Sequence, residues 1–205
     1  MMDREQMAQW LAARAGKLTA SNMWKVLEVL KNGKAAKART DYIRDLLAER
    51  LTGISVRHFV NDAMQWGLDH EEEAKTQYEV ATGNIVIPTG FHDHPQIDNF
   101  GATPDGLLDG GGLIEIKCPT TGTYVEWLMA GTVPVDHEPQ MLAQMACTGR
   151  TWCEFVAYDP RIKDPKRRLF VRRFTPKPEH IAEIEEAAVK FLADVEAAWE
   201  VLTTS

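Results

Sequence analysis

Apolar residues recur at helical spacing through the first 82 residues of the chain and predict four helices. The predicted helices are residues 5–14, a segment after residues 19–22 that reaches Leu30, a segment from Tyr42 to Leu51, and residues 60–82. Gly53 and Gly83 follow the third and fourth helices, as glycine often does at a helix C-terminus. Residues 31–37 are predicted to form an exposed basic loop between the second and third helices.

From residue 84 onward the pattern changes to the two-residue period of β-strands. The strand-like segments are residues 85–87, 97–102, 113–118, 152–158 and 168–175. Asp109 and the three glycines after it predict a turn, so we expect 97–102 and 113–118 to pair as an antiparallel hairpin. Further helices are predicted at residues 121–130, 137–149 and 178–203. This order predicts an α/β domain with a central mixed sheet flanked by helices.

The composition favours a single globular domain. A chain of 205 residues with 44% hydrophobic content can bury a core without disulfides. It has no apolar run near the roughly 20 residues of a membrane-spanning helix, and its first residues lack a signal-peptide pattern, so we expect a cytoplasmic protein with no membrane association. The three cysteines are an odd number without a close pair, which favours buried reduced thiols over disulfides or zinc: Cys118, Cys147 and Cys153.

The net charge of −7 is unusual for a protein that binds DNA, but the charges are distributed unevenly. Basic residues concentrate at 14–50 and 161–173, whereas acidic residues concentrate at 179–200. Lysine and arginine supply the sequence-independent affinity for phosphates, so this asymmetry suits a protein with one phosphate-facing side. An ordinary mixed surface is the alternative, and charge alone leaves both interpretations open.

A charged motif interrupts the predicted strand at residues 113–118. Alternate side chains share one face of a strand, so Glu115 and Lys117 point together while Ile114 and Ile116 point to the apolar side. Charges in such a strand are costly without partners or a metal. The predicted turn brings Asp105, at the end of the preceding strand, back towards Glu115. Carboxylate oxygens of this kind suit Mg²⁺, which takes few protein ligands.

Simpler interpretations exist for several of these residues. Glu115 and Lys117 could form an ion pair on an edge strand, although their separation from Asp105 favours a metal site. His92 and His94 could hold a metal, but a histidine-rich turn is the commoner situation. Three tryptophans could stack on bases, but their helical apolar spacing favours packing in the core or between subunits: Trp10, Trp24 and Trp66.

Four ordered blocks of the chain resemble one nuclease family. They are Trp-Gly at 66–67 followed by Glu71, Thr-Pro-Asp-Gly-Leu at 103–107, Ile-Glu-Ile-Lys-Cys-Pro at 114–119 and Tyr-Asp-Pro-Arg at 158–161. Together they resemble the phage lambda exonuclease and YqaJ-type viral recombinase family of the PD-(D/E)xK nuclease superfamily. The resemblance extends from about Trp10 to the last helix and implies a restriction-endonuclease-like core, a central mixed β-sheet flanked by helices.

The resemblance also implies the organisation of the chain. It implies a single nuclease domain over residues 1–205, with helices at 5–82 that carry elements for binding DNA ends. A catalytic sheet core at 84–175 and a C-terminal helix at 178–203 complete this domain.

Each matching residue of the core motif has an implied role. Asp105 and Glu115 match metal-binding carboxylates, and the backbone carbonyl of Ile116 is a further implied ligand. Lys117 matches the catalytic lysine. Glu71 matches a helix-borne acid that binds a second metal ion, so the implied cofactor is a pair of Mg²⁺ ions, for which Mn²⁺ is expected to substitute. The neighbouring acids are expected to face solvent: Glu72 and Glu73.

Outside this motif the resemblance implies two more sets of functional residues. Gln140 matches a helical glutamine near the scissile phosphate, although a surface amide is an alternative. Arg14 matches the residue that binds the terminal 5′ phosphate of DNA. Backbone N–H groups and hydroxyls at the helix start after Thr19 would also make an anion site, with Ser21 as the second choice there.

The family implies a magnesium-dependent exonuclease that resects double-stranded DNA from 5′ ends, releases mononucleotides and leaves a 3′ overhang. It also implies a ring-shaped homotrimer and a single-strand annealing protein as partner, in a phage or prophage recombination module within a bacterial host cell. The alternatives are a structure- or sequence-specific endonuclease on the same fold, a non-catalytic DNA-binding remnant, and a phage interaction module. We further hypothesise that the basic loop at 31–37, close to Arg14 in sequence, helps to split the duplex.

Overall fold

The computed structural model describes residues 4–28, 36–55 and 62–204. The helices in these ranges are Arg4–Arg14 (α1), Met23–Leu27 (α2), Lys37–Thr52 (α3), Asp62–Thr82 (α4), Thr121–Ala130 (α5), Glu138–Thr148 (α6) and Pro178–Thr204 (α7). The strands are Leu18–Thr19 (β1), His92–Asp93 (β2), Phe100–Ala102 (β3), Gly106–Leu108 (β4), Gly112–Lys117 (β5), Trp152–Tyr158 (β6) and Leu169–Phe174 (β7). Short 3-10 turns precede α2, α6 and β7.

Two mixed β-sheets organise the described residues. The larger has four strands in the order β4-β5-β6-β7, with β5 parallel to β6 and the other neighbours antiparallel. The smaller has the order β1-β3-β2, with β1 parallel to β3 and β2 antiparallel to β3. Helices pack against both, so the predicted α/β fold with a mixed sheet flanked by helices is confirmed.

The predicted hairpin is wrong in its first strand. Strand β5 pairs with β4, whereas the segment 97–102 contributes β3 to the smaller sheet. The turn between β4 and β5 is tight, because Gly110 and Gly111 both adopt positive φ, at 74° and 85°. Such a turn joins the two strands that immediately flank it. Strand β4 has only three residues, which is too short to show a clear alternation of polar and apolar positions.

Other elements keep, extend or fall short of the predicted bounds. Helix α3 is longer than predicted, because it begins at Lys37, the last residue of the predicted basic loop. Strand β6 and helix α5 have the predicted bounds, 152–158 and 121–130. Residues 85–87 do not form a strand, and Ile87 makes a single bridge to Leu107. Helix α2 ends at Leu27. Several predictions fall outside the described residues: Leu30, positions 31–35 of the basic loop, and positions 60–61 of the fourth helix.

The four-stranded sheet separates two apolar clusters. The larger contains Leu113 of β5 together with buried residues of α6 and α7. The smaller contains Ile114 and Ile116 of β5 together with Tyr78 of α4. Because side chains alternate along a strand, the two charged residues of β5 face α6, whereas α4 covers the opposite face. The charged motif therefore lies between these two layers of helix.

Two expectations from composition agree with the structure. The cysteines at positions 118, 147 and 153 are all free and buried. Within the described ranges, none of the helices combines the length and apolar character needed to cross a membrane.

A polar network ties α4 to β6 and β7. Tyr78 is fully buried, and its hydroxyl donates a hydrogen bond to Glu154 Oε2 at 2.6 Å. Asn84 Nδ2 donates to the same hydroxyl at 3.0 Å. Arg173 Nη2 donates to Glu154 Oε1 at 2.8 Å. Both oxygens of this buried carboxylate are therefore satisfied, and its partners hold the helix against the sheet.

Replacing Tyr78 with phenylalanine is expected to destabilise the fold. The change removes the hydroxyl and leaves Glu154 Oε2 buried with one partner fewer, at a cost of about 1–3 kcal/mol in the free energy of unfolding. Urea denaturation followed by circular dichroism measures this cost. Val80→Ala is the matched control on the same helix, since Val80 is 78% exposed. Equal stability of Tyr78→Phe and the wild type would show that the network does not anchor α4.

Candidate active site

Asp105 lies directly before β4 and contacts β5 through a backbone hydrogen bond. Its Oδ2 accepts a hydrogen bond from the N–H of Ile116 at 2.6 Å. The N–H and C=O groups of one strand residue point to the same side, so the Ile116 carbonyl faces the side on which Asp105 lies. The structure therefore brings these two predicted site residues together, through β4 and not through residues 97–102.

Glu115 and Lys117 form an ion pair at the end of β5. Glu115 is completely buried, and its Oε1 contacts the ammonium of Lys117. Its Oε2 accepts a hydrogen bond from Gln144 Nε2 at 2.6 Å. The ammonium of Lys117 also lies 3.5 Å from Gln140 Oε1. Helix α6 thus supplies an amide to each member of the pair, and Gln140 lies beside Lys117 rather than on an isolated surface.

Glu71 lies on α4, which packs on the opposite face of the sheet, and it interacts electrostatically with Glu115 and Lys117. Burial raises the pKa of Glu71, and the charges of its helix neighbours Lys75 and Glu72 oppose each other. Glu115 raises this pKa further and Lys117 lowers it. Glu71 is half-buried, whereas Glu72 and Glu73 are exposed. Glu72 lies 3.2 Å from a lysine one turn away, and Glu73 accepts a hydrogen bond from a tyrosine of β6 at 2.7 Å. Among these three acids, the contacts favour Glu71 as the site residue.

Burial and like charge act together on the carboxylates. Burial raises the pKa of Asp105 well above the usual 3.8, and Glu115 and Glu71 raise it further. Burial alone would lower the pKa of Lys117, but Glu115 and Asp105 outweigh that effect and the pKa is raised. Lys117 therefore stays protonated, and the single ammonium only partly offsets the repulsion among the carboxylates.

The donors at this site fit a hard divalent cation. Glu115 Oε1 is buried and, apart from its contact with Lys117, has no hydrogen bond to the residues that the structure describes. No group of three or more His, Cys, Asp or Glu side chains in the described ranges forms a ready-made metal cluster. Mg²⁺ does not require one, since it commonly takes one or two carboxylates and keeps several waters. Asp105, Glu115 and the Ile116 carbonyl supply oxygens of the right kind.

Sequence reasoning missed two residues that border the site. Gln144 is fully buried and holds Glu115 Oε2, and its spacing of four from Gln140 on one helix face was the available indication. His137 lies at the start of α6, where burial and the nearby Lys117 charge lower its pKa to about 4. Its ring stacks on Phe155 at 5.3 Å, and no pattern in the sequence indicated this contact. The imidazole is therefore neutral beside the lysine.

Two of the three residues predicted to bind a 5′ phosphate, Arg14 and Thr19, line one small cavity of about 60 Å³. Its wall also carries Lys17 and two carboxylates, Asp45 and Glu49. Arg14 Nη2 lies 3.5 Å from Ser21 Oγ, so the second-choice residue adjoins the first. Burial lowers the pKa of the Arg14 guanidinium, and an arginine remains charged at neutral pH in proteins.

The helix-start argument for this anion site needs a correction. The segment after Thr19 is a 3-10 turn followed by the five-residue helix α2, so it carries little helix dipole. The backbone N–H of Thr19 already donates to the hydroxyl of Tyr42 at 3.1 Å. Hydroxyl and guanidinium groups, rather than this amide, are the donors that an anion would meet.

Two alternatives from the sequence have structural explanations. His94 accepts a hydrogen bond at Nδ1 from the N–H of Ile97 at 3.0 Å, and its Nε2 lies 3.2 Å from a carboxylate oxygen of Glu185. This histidine therefore holds a loop. Trp10 donates from Nε1 to Thr103 Oγ1 at 3.1 Å, which is a packing contact. Trp24 is 49% exposed, so it is less buried than its apolar spacing predicted.

Comparison with known proteins finds exonucleases. A model of the YqaJ-like viral recombinase domain matches residues 9–151. The crystal structure of LHK-Exo in complex with dAMP shares 43% identity and a TM-score of 0.88, over 96% of each chain. A crystal structure of an alkaline exonuclease (LHK-Exo) from Laribacter hongkongensis shares 44% identity and a TM-score of 0.87, over 96% of each chain.

A more distant match has a similar fold. A phage related exonuclease from Haemophilus somnus 129PT shares 17% identity and a TM-score of 0.66, over 92% of this chain and 96% of the other. This is a likeness of fold alone. A comparison with curated protein sequences gives no significant match. The strong match to the alkaline exonuclease confirms the PD-(D/E)xK-type fold expected from the sequence motifs.

Replacing Asp105 with asparagine is expected to stabilise the metal-free protein. Because its folded-state pKa is raised, the stability that Asp105 contributes below pH 3.8 is lost as the pH rises through that pKa. At neutral pH the carboxylate therefore opposes folding, whereas asparagine keeps an oxygen for the Ile116 N–H. Thermal denaturation in EDTA should give a Tm higher by about 2–4 °C, the shift that ~1 kcal/mol produces in a protein of this size.

The control for this variant is Asp109→Asn, in the exposed turn between β4 and β5, which should leave the Tm unchanged. Added Mg²⁺ should raise the Tm of the wild type and the control more than that of Asp105→Asn. A lower Tm for Asp105→Asn in EDTA would contradict the electrostatic description of the site.

Proposed function

The chain belongs to the YqaJ-like viral recombinase family, and on that premise we propose that it is a magnesium-dependent exonuclease that degrades duplex DNA from 5′ ends. Its similarity to LHK-Exo extends over nearly the whole chain. This similarity supports a DNA exonuclease of a phage-type recombination family. In the proposed reaction it hydrolyses one strand in the 5′-to-3′ direction, releases mononucleotides and leaves a 3′ single-stranded overhang. The convergence of Asp105, Glu115 and Lys117 at the end of β5 is the observation that carries the proposal.

Four groups of this chain would hold the metal ions. Asp105, Glu115 and the Ile116 carbonyl would bind one Mg²⁺, and Glu71 would contribute to a second. When bound, such ions supply Lewis-acid stabilisation of phosphoryl charge and make water a stronger nucleophile at neutral pH. Mn²⁺ should substitute, because it accepts similar oxygen ligands. Gln144 would keep Glu115 oriented, because its amide donates a hydrogen bond to Oε2 at 2.6 Å and leaves Oε1 as the oxygen that would bind the metal ion.

Lys117 would act as a fixed positive charge rather than as a general base. Its raised pKa keeps it protonated, so it can donate hydrogen bonds to the attacking water or to a phosphate oxygen. Its side chain is 29% exposed, so the residue is not sealed within the core. Gln140, which lies 3.5 Å from that ammonium, would hold it in place or contact the scissile phosphate. The charge would stabilise the additional negative charge that develops during hydrolysis.

The cavity at Arg14 would bind the terminal 5′ phosphate. The Arg14 guanidinium lies 4.1 Å from the centroid of the Trp10 ring. Trp10 in turn donates from Nε1 to Thr103 Oγ1 at 3.1 Å, two residues before Asp105. This chain of contacts links the cavity to the carboxylates, so a phosphate held at Arg14 would place a scissile bond at a set distance. The dAMP complex of LHK-Exo supports a nucleoside 5′-monophosphate as the released product.

Assembly and partners are proposed from the family. We expect a homotrimeric ring around the DNA and a single-strand annealing protein that receives the 3′ overhang. The bacterial host cytoplasm is the expected location for such a phage or prophage recombination module.

Digestion of defined DNA substrates tests the proposed activity. A linear duplex with 5′ phosphates is labelled internally near one end of one strand, and closed circular DNA is digested beside it. With Mg²⁺ the linear DNA should lose nucleotides from its 5′ ends as mononucleotides, and the circle should persist. EDTA should abolish digestion, and Lys117→Ala should slow it by at least about 100-fold, the usual cost of losing a donor that stabilises developing charge.

Other outcomes select the alternatives. Cutting of the circle would identify an endonuclease on this fold, and loss from the 3′ ends would contradict the proposed polarity. Full activity in EDTA, or in Lys117→Ala, would contradict the proposed site. Binding to DNA without hydrolysis of either substrate would indicate a non-catalytic role.

Replacing Arg14 with glutamine is expected to remove the preference for a 5′-phosphorylated end. The wild type should start more readily on a 5′ phosphate than on a 5′ hydroxyl, because a charge-assisted hydrogen bond contributes about 1.5–3 kcal/mol, or roughly 10- to 100-fold. Initial rates on the two substrates measure the ratio. Arg44→Gln, at an exposed arginine of α3, is the control and should keep the wild-type ratio. An unchanged ratio in Arg14→Gln would remove this residue from the end-binding site.

A further inference from the structure

Arg161 connects three segments that surround the active site. It follows β6, and its Nε donates to Asp159 Oδ1 at 2.7 Å while its Nη2 lies 3.1 Å from Asp159 Oδ2. The same Nη2 donates to the carbonyl of Pro119 at 2.8 Å, two residues after Lys117. The guanidinium also lies 4.2 Å from the centroid of the Trp66 ring on α4. One side chain therefore contacts the end of β6, the exit of β5 and the helix that carries Glu71.

The ion pair of Arg161 with Asp159 is a fixed element of the fold. Asp159 is completely buried. Burial alone would raise its pKa, but hydrogen bonds from Arg161 and Thr121 outweigh that effect and the pKa is lowered. A fork of two N–H donors onto one carboxylate is the geometry in which arginine differs most from lysine. The guanidinium is thereby oriented, and its contacts with Pro119 and Trp66 are fixed with it.

Trp66 connects Arg161 with the residues around the active site. It packs against the smaller apolar cluster, which includes Ile116 and Cys118 on either side of Lys117. Its ring stacks on that of His70 with centroids 3.7 Å apart, and His70 directly precedes Glu71. Glu71 lies in the helix layer opposite to α6, so its distance from β5 depends on how closely α4 packs on the sheet. Arg161 contacts both sides of this packing, through Trp66 of α4 and the Pro119 carbonyl.

We infer that Arg161 is a positioning residue that sets Glu71 of α4 against Glu115 and Lys117 of β5 by bracing Trp66 and the Pro119 carbonyl. The role rests on the proposed function, because it assumes that Glu71 and Glu115 bind metal ions in one reaction. Some residues orient metal ligands without binding the metal themselves. Replacing such a residue commonly changes metal affinity or activity by about 10- to 100-fold. Arg161 should therefore affect the metal requirement more than the affinity for DNA.

The test compares Arg161→Gln and Arg161→Lys with Arg172→Gln in the full chain. Arg172 of β7 is a matched control away from α4, since its guanidinium lies 4.5 Å from the centroid of the Phe170 ring and its Nε donates to the Gly131 carbonyl at 2.7 Å. The cleavage rate on 5′-phosphorylated linear duplex is measured against Mg²⁺ concentration, with kcat and KM for DNA. The rise of Tm with Mn²⁺ in the absence of DNA gives an independent reading of metal binding.

For Arg161→Gln we expect the Mg²⁺ concentration at half-maximal rate to rise about 10-fold and kcat to fall, with KM for DNA near the wild-type value. The Mn²⁺ concentration that raises the Tm should increase in parallel. Arg161→Lys should remain impaired, because it keeps the charge but loses the fork. Arg172→Gln should keep the wild-type metal dependence, because its contacts lie away from α4.

Three outcomes would overturn the inference. One is a wild-type metal dependence and kcat in Arg161→Gln, and another is full recovery in Arg161→Lys, which would indicate a simple charge contact with DNA. The third is an equal metal defect in Arg172→Gln. If Arg161→Gln does not fold, Trp66→Leu removes the ring that Arg161 contacts. Normal metal dependence in that variant would also overturn the inference. A wild-type protein without metal dependence would contradict the proposed function itself.

Discussion

The concentration of buried negative charge around one ammonium is the constraint on which the rest of this structure depends. Asp105 and Glu115 are brought together by β4 and β5, and Glu71 approaches from α4. Lys117 provides the nearest positive charge, in direct contact with Glu115. A folded chain tolerates such a site only if the surrounding packing holds the groups in place, because each carboxylate alone is disfavoured there.

Helices on both faces of the four-stranded sheet hold these groups in place. On one face α6 directs two amides at the ion pair, and Gln144 holds the oxygen of Glu115 that does not contact Lys117. On the other face α4 is held by the apolar cluster around Tyr78 and by the network to Glu154. A shift of either helix would change the spacing of the carboxylates. The geometry of the proposed nuclease site therefore depends on both helix layers and the sheet between them, and β5 carries the central residues.

Sequence patterns predicted the centre of the site because the relevant information is local. The alternation of Ile114 and Ile116 with Glu115 and Lys117 determines which side chains share a face, whatever the strand pairs with. The antiparallel partner of β5 was not predictable in the same way, since β4 is three residues long and too short to show an alternating pattern. The contact of Gln144 with Glu115 and that of Arg161 with Trp66 join residues 29 and 95 positions apart, and no periodicity carries information over such distances.

The metal site can be measured directly by anomalous diffraction from crystals of the protein soaked in Mn²⁺. The proposed site predicts one peak among Asp105, Glu115 and the Ile116 carbonyl, which is lost in Asp105→Asn, and a second beside Glu71. An absence of peaks among these carboxylates at a Mn²⁺ concentration that supports cleavage would contradict it, as would a first peak that persists unchanged in the variant.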